Sequence, residues 1–208
     1  MGMINGSQIL ARALRKQGVD TMFYLMGGPM LAAESACINE GIRSIDVRHE
    51  QAAAMMAHAW GRVTNRIAIC MAASGPGAAN LVTGVANAWA DASPLLALGG
   101  AAPLTLSGKG IFQECDQLSL FKPITKWADR CLDPRRIPDM VATALRQAST
   151  GRPGPVYLDM PGDVLYREVE DDSLDYREAG SSASKARPEG DPDAVRASIG
   201  NHFGGVRT

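Results

Sequence analysis

Arg48-His49-Glu50, followed by Gln51-Ala52-Ala53-Ala54, sets a carboxylate where a short apolar run gives way to a helical one. In an open parallel sheet the carboxyl ends of the strands face the ligand crevice, and this junction lies there. The plainer alternative is a first-turn acid favoured by the helix dipole. A second candidate is Ser74-Gly75-Pro76-Gly77-Ala78-Ala79-Asn80. Glycines at a strand-to-helix turn let a ligand approach the backbone, and the free N–H groups of a helix start favour an anion or a polar ring edge. A simple tight turn is the rival. The run departs from G-x-G-x-x-G because position 80 is Asn, and no G-x-x-x-x-G-K-[ST] occurs, so nucleotide-phosphate readings are weak. A third candidate is Phe112-Gln113-Glu114-Cys115-Asp116-Gln117, although polar residues in a loop are more often solvated than catalytic. His49, His58 and His202 support no triad, and there is neither a Gly-x-Ser-x-Gly elbow nor a metal-binding His pair. Hydrolase and zinc-enzyme chemistry therefore fall away.

These residues need elements to hold them, and strand-like and helix-like segments alternate over about 160 residues. Ile9, Leu10, Ala13 and Leu14 repeat at helical spacing behind Asn5 and Ser7 as cap candidates, with Gly18 at the expected end. Residues 19–25 read as a strand that enters Gly27-Gly28-Pro29 and a helix closed by Gly41. A strand at 42–47, a helix at 49–63, a strand at 67–73, a helix from the Gly75 turn to about 91 and a strand at 94–98 continue the series. Residues 99–123 read as a long surface loop with one short helix, 135–148 as a helix, and 154–159 as a final strand that closes the sheet. The strands are apolar runs without alternation, the mark of burial on both faces. The fold class is α/β, a doubly wound, mainly parallel sheet with helices on both faces.

Composition bounds the partners. Of 208 residues, 21 are Lys or Arg and 22 are Asp or Glu, a balance that lacks the basic surplus needed to hold a nucleic-acid backbone or an anionic membrane. Cys37, Cys70, Cys115 and Cys131 are scattered without a C-x-x-C pair, and no basic, apolar signal segment opens the chain, which reads as reduced thiols and a cytoplasmic protein. Residues 67–90 carry no charge, yet Ser74-Gly75-Pro76-Gly77 interrupts them, so they read as strand, turn and helix instead of a membrane span. At roughly 150 residues per domain the chain holds one domain and a remainder. Residues 1–168 are expected to form the domain, 169–190 a polar linker rich in Asp, Glu, Gly and Ser, and 191–208 the start of a truncated central domain.

In their order along the chain, Phe23-Tyr24-Leu25-Met26-Gly27-Gly28-Pro29, Val47-Arg48-His49-Glu50-Gln51-Ala52-Ala53, Ala73-Ser74-Gly75-Pro76-Gly77-Ala78-Ala79-Asn80-Leu81, Phe112-Gln113-Glu114 and residues 151–161 do more than any one alone. Together they resemble the N-terminal pyrimidine-binding domain of thiamine-diphosphate-dependent enzymes, in the group of acetolactate synthase, 2-hydroxyacyl-CoA lyase, oxalyl-CoA decarboxylase and benzaldehyde lyase. The likeness covers about residues 3–166. It implies that Glu50 is the catalytic acid that hydrogen-bonds a ring nitrogen of the cofactor's aminopyrimidine. It implies that Gly27, Gly28, Pro76 and Asn80 line the cofactor and that Gln113 reaches the substrate, a 2-keto acid or a 2-hydroxyacyl-CoA. Such enzymes work as dimers or tetramers and fix diphosphate and Mg²⁺ through a Gly-Asp-Gly segment on another domain. No Gly-Asp-Gly occurs here, so the resemblance implies a half-site, with no metal ligand of its own, inactive alone; it leaves FAD use open. The competing expectations are one subunit of a split keto-acid decarboxylase and a non-catalytic dimerisation module.

Overall fold

A computed structural model describes residues 2–64, 66–176, 191–194 and 196. The first strand, β1 (Met3–Asn5), leads into helix α1 (Gly6–Lys16) through a reciprocal cap: the Asn5 side chain accepts from the Gln8 N–H at 3.0 Å, and the Gln8 side chain accepts from the Asn5 N–H at 3.1 Å. Ile9, Leu10, Ala13 and Leu14 all point inward, as their spacing requires. There follow β2 (Thr21–Tyr24), α2 (Leu31–Asn39), β3 (Arg43–Asp46), α3 (Glu50–Thr64), β4 (Ala68–Ala72), α4 (Pro76–Ala90) and β5 (Leu95–Ala101). The second half comprises α5 (Gln117–Phe121), β6 (Ala128–Arg130), α6 (Ile137–Ser149), β7 (Pro155–Pro161), α7 (Gly162–Tyr166) and β8 (Glu168–Glu170). Among the described residues no helix is long and apolar enough to cross a membrane. The uncharged stretch 67–90 is divided between β4 and α4 at the Gly75 turn.

Six strands pair in parallel in the order β3-β2-β4-β5-β7-β6. One face carries α1, α2 and α6 over Met22, Ile69, Met71, Leu96, Leu98, Val156 and Leu158. The other carries α3, α4 and α5 over Phe23, Cys70, Ala72, Ala97 and Tyr157. Consecutive strand residues alternate between these faces, which is why strands β4 and β5 are apolar throughout and β7 is apolar but for Asp159. The fold expected from the sequence is thereby found. Two details differ. The strand expected to close the sheet, β7, lies inside it, because β6 pairs outside it as an edge. The opposite edge, β3, is only half covered, unlike the doubly buried strands expected.

The polar stretch expected to begin a linker at 169 begins inside the folded unit. Strand β8 pairs antiparallel with β1, Val169 is buried, Arg12 holds both oxygens of Asp171 at 2.9 and 2.7 Å, and Tyr176 lies under the cations of Arg12 and Lys16. Residues 177–190, the rest of that expected linker, and 197–208 lie outside the described residues.

Helices α3 and α4 cross at Gly84, where an added Cβ would stand 2.4 Å from the Ala54 Cβ and 2.9 Å from the Met55 amide nitrogen. This contact sets how closely the two helices of the candidate site approach. Gly84→Ala is expected to cost about 1–3 kcal/mol through overpacking, read as a lower urea midpoint. An unchanged midpoint would contradict the close crossing.

Candidate cofactor site

The residues singled out by sequence come together at the carboxyl ends of β2, β4 and β5. Chain leaving β2 makes the Gly27-Gly28-Pro29 turn, and chain leaving β4 makes the Ser74-Gly75 turn that starts α4. The two turns touch: the Ser74 N–H donates to the Gly28 carbonyl at 3.4 Å, and a Cβ on Gly27 would lie 2.7 Å from the Ala73 Cβ. Ala73 also lies against Gly77, whose added Cβ would stand 3.3 Å from Oε1 of Glu50. Glu50 is the first residue of α3 and is half-buried. Its other oxygen, Oε2, accepts from Nδ2 of Asn80 at 2.9 Å, one turn into α4. Pro76 occupies the first position of α4 and is exposed, as is Gly28. Gln113 comes from the loop after β5, with Oε1 3.4 Å from the Ser74 hydroxyl. Gly27, Gly28, Glu50, Pro76, Asn80 and Gln113 thus share one neighbourhood.

Gly75 is a glycine by necessity. Its φ is +60°, and a Cβ there would lie 2.1 Å from the Gln113 carbonyl oxygen. Gln113 itself adopts φ +58°, a left-handed conformation that a non-glycine residue holds only when its surroundings impose it. Glu114 supplies part of that constraint. Its carboxylate accepts from the N–H groups of Gly108, Gly110 and Ile111 at 2.5, 2.8 and 3.2 Å, which lowers its pKa.

Polar residues to which the sequence assigned no role lie beneath these turns. Gln117, 2% exposed, spans Gly75, Gly100, Tyr157 and Asp159. Asp159 is fully buried on β7, accepts from the Tyr157 hydroxyl at 2.8 Å and meets Nε of Arg130 at 2.7 Å. Burial pushes the Asp159 carboxyl up, and the bonds from Tyr157, Arg130 and Gln117 pull it back. Burial likewise drives the Tyr157 phenol well above its ordinary value. Gln117 and Phe121 lie four apart on the inward face of α5, a spacing that could have marked Gln117 as buried. A group that sequence reasoning missed altogether is Glu34 on α2, 3% exposed, whose oxygens make no hydrogen bond of ordinary geometry among the described residues. Burial foremost, with the negative charge of Asp46, pushes its carboxyl up to about 8, against a smaller opposing effect of the nearby Gly27 amide. The signal was an acid inside an alanine-rich apolar run.

His58 is not part of this cluster. It is buried on α3 with Nδ1 3.0 Å from Nδ2 of Asn87 and Nε2 3.2 Å from Asp91, a tie between α3 and α4. Cys37 and Cys70 are buried free thiols pushed up to about 12, and Cys131 to about 11, by burial. Such thiols are poor nucleophiles. Among the described residues no group of three or more His, Cys, Asp or Glu is placed to hold a metal ion.

A parallel sheet whose crevice carries a half-buried carboxylate between glycine turns defines a cofactor-binding α/β domain. Residues 4–120 match the family model described as thiamine pyrophosphate enzyme, N-terminal TPP binding domain, and the chain belongs to that family. It is 43% identical over 167 residues to a probable acetolactate synthase large subunit of Methanocaldococcus jannaschii, covering 80% of this chain and 28% of that one. It is 42% identical over 165 residues to human 2-hydroxyacyl-CoA lyase 2, covering 78% and 26% respectively. It is 40% identical over 161 residues to the acetolactate synthase isozyme 2 large subunit of Escherichia coli K12, covering 77% and 29%. The chain therefore spans less than a third of the length of these relatives.

The residues present fit the aminopyrimidine end of thiamine pyrophosphate. Gly27 and Gly77 line the cradle without side chains, where a Cβ would press on Ala73 or approach Glu50, and the Glu50 carboxylate can share a proton with a ring nitrogen.

Proposed function

We propose that this domain holds the aminopyrimidine of thiamine diphosphate for an acetolactate synthase-like enzyme acting on 2-keto acids. The observation that carries the reading is the Glu50 carboxylate at the head of α3, held at 2.9 Å by Asn80 and flanked by Gly77. Bound thiamine diphosphate supplies the carbanion chemistry at its thiazolium ring. The Asn80 amide fixes one Glu50 oxygen and leaves Oε1 to hold or release a proton at the ring edge. Gly27 and Gly28 let the ring lie against backbone, and Gln113 reaches toward the substrate. Diphosphate and Mg²⁺ are held by a domain outside these 208 residues, contributed in a dimer or tetramer by a partner subunit, so that this chain is half of a site. A second reading, cleavage of 2-hydroxyacyl-CoA, is supported by the human lyase at 42% identity, against 43% for the methanogen synthase.

Calorimetric titration of thiamine diphosphate with Mg²⁺ into the 208-residue chain tests the half-site. The expected dissociation constant is on the order of 1 mM or weaker, about −4 kcal/mol, and indifferent to Mg²⁺. Tight, Mg²⁺-dependent binding to this chain alone would overturn it.

A further inference from the structure

We propose that Gln117 is a positioning residue for the Glu50–Asn80 pair, acting through the backbone of Gly75; this rests on the reading of Glu50 given above. The turn that starts α4 lacks an ordinary cap, since Gly75 occupies the cap position and offers no side chain to the helix. The carboxamide of Gln117 instead holds the cap residue itself from outside the helix. Its Oε1 accepts from the Gly75 N–H at 2.5 Å. Its Nε2 faces three acceptors: the Gly100 carbonyl at 2.9 Å, the Tyr157 hydroxyl at 2.8 Å and Oδ1 of Asp159 at 2.5 Å. Two donor hydrogens satisfy the carbonyl and the carboxylate, while the Tyr157 hydroxyl directs its own hydrogen to Asp159.

The orientation of the amide is therefore set by its partners: oxygen toward Gly75, nitrogen toward Asp159. Asp159 is itself fixed, by Tyr157 on one oxygen and by Arg130 of the edge strand on the other. Phe121, on the same face of α5, stacks on Tyr157 with ring centroids 3.8 Å apart, so α5 cannot slide without unstacking them. On the far side of Gly75 the Gln113 carbonyl presses on its α carbon, and glycine is needed to admit it. Gly75 is gripped on its N–H by Gln117, from the start of α5, and on its α face by Gln113, from the loop that leads into that helix. The first turn of α4 projects from that point, with Gly77 against Glu50 and Asn80 bonded to it. Rotation of the turn would therefore carry Asn80 away from Glu50.

The test is amide and side-chain NMR on the 208-residue chain, which needs no cofactor and so is decided whether or not Glu50 proves catalytic. Gln117→Met keeps bulk and removes both halves of the bridge. Its Gly75 amide is expected to exchange at least tenfold faster relative to the Ala97 amide of β5, and the Asn80 side-chain resonances to move toward solvent-exposed values. Val141→Ala, a cavity variant on the opposite face of the sheet, is the control for general destabilisation and should leave the Gly75-to-Ala97 ratio and the Asn80 signals unchanged. Where Gln117→Met does not fold, the shorter Gln117→Asn, which keeps an amide but cannot span the gap, replaces it with the same expectation. Equal ratios in the Gln117 variant and the Val141→Ala control, or Asn80 resonances that stay put, would overturn the proposal.

Discussion

Glu50→Gln in the assembled enzyme is expected to lower turnover by about 10²–10⁴-fold, the range of a positioned acid or base. The substitution is nearly isosteric, and an amide oxygen still accepts from Nδ2 of Asn80, so the 2.9 Å contact and the start of α3 survive. What is lost is a carboxyl oxygen able to pass a proton, at Oε1, the oxygen that faces Gly77. Thermal stability should therefore change little while single-turnover formation of product slows, and cofactor affinity should fall less than the rate. Near-normal turnover by a correctly folded Glu50→Gln enzyme would sink the assignment of Glu50 as the pyrimidine-facing acid. A merely electrostatic first-turn acid would instead lose a few tenths of a kcal/mol of helix stability and no specific step.

The second large effect concerns stability. Glu34 sits at 3% exposure with its carboxyl pushed up to about 8 from an ordinary 4.5. The folded state keeps this proton where the unfolded chain has already released it, so stability falls as pH climbs from about 4.5 through about 8 and levels off above. No facing group reverses the sign: Asp46 on β3 adds negative charge, and Tyr24 on β2 and Cys37 on α2 are themselves raised with Glu34 among the causes. At the alkaline limit the difference is worth on the order of 5 kcal/mol. Glu34→Leu removes the titration and restores an apolar contact, so it is expected to flatten the profile and to raise Tm at pH 9 by roughly 10 °C or more. Melting curves between pH 5 and pH 9 decide the matter; parallel profiles for the two proteins would show that Glu34 is not buried as described.

Much of this architecture was legible because parallel strands covered on both faces must be apolar at every position. Residues 68–72 and 95–98 declare themselves for that reason, and Gly75 declares the turn after β4, whereas Gly99-Gly100-Ala101, which continue β5, read as the start of a loop because glycines carry no apolar side chain to mark a strand. Elements without that constraint were invisible. Strand β6 is three residues, Ala128-Asp129-Arg130, with one neighbour and one open edge, and nothing in its side chains must be apolar. Strands β1 and β8 are as short and find each other across more than 160 residues, a pairing no local pattern encodes. The candidate site divides along the same line. Glu50, Asn80 and Gln113 stand at junctions that turn residues announce. Gln117 and Glu34 owe their importance to burial of a polar group, which depends on what the other elements cover.

The pairing of β8 with β1 also determines how the polypeptide departs. Helix α1 runs antiparallel to the sheet, so its start at Gly6 lies at the crevice end and Lys16 lies at the opposite end, near the entry to β2. From Glu168, opposite Asn5, the chain follows α1 downward, clipped to Arg12 by Asp171 and resting Tyr176 on Arg12 and Lys16. By Tyr176 it has travelled the length of the domain, away from Glu50. Among the described residues, the segment from Glu168 to Tyr176 thus runs along the flank of the domain and leaves the mouth of the crevice uncrossed.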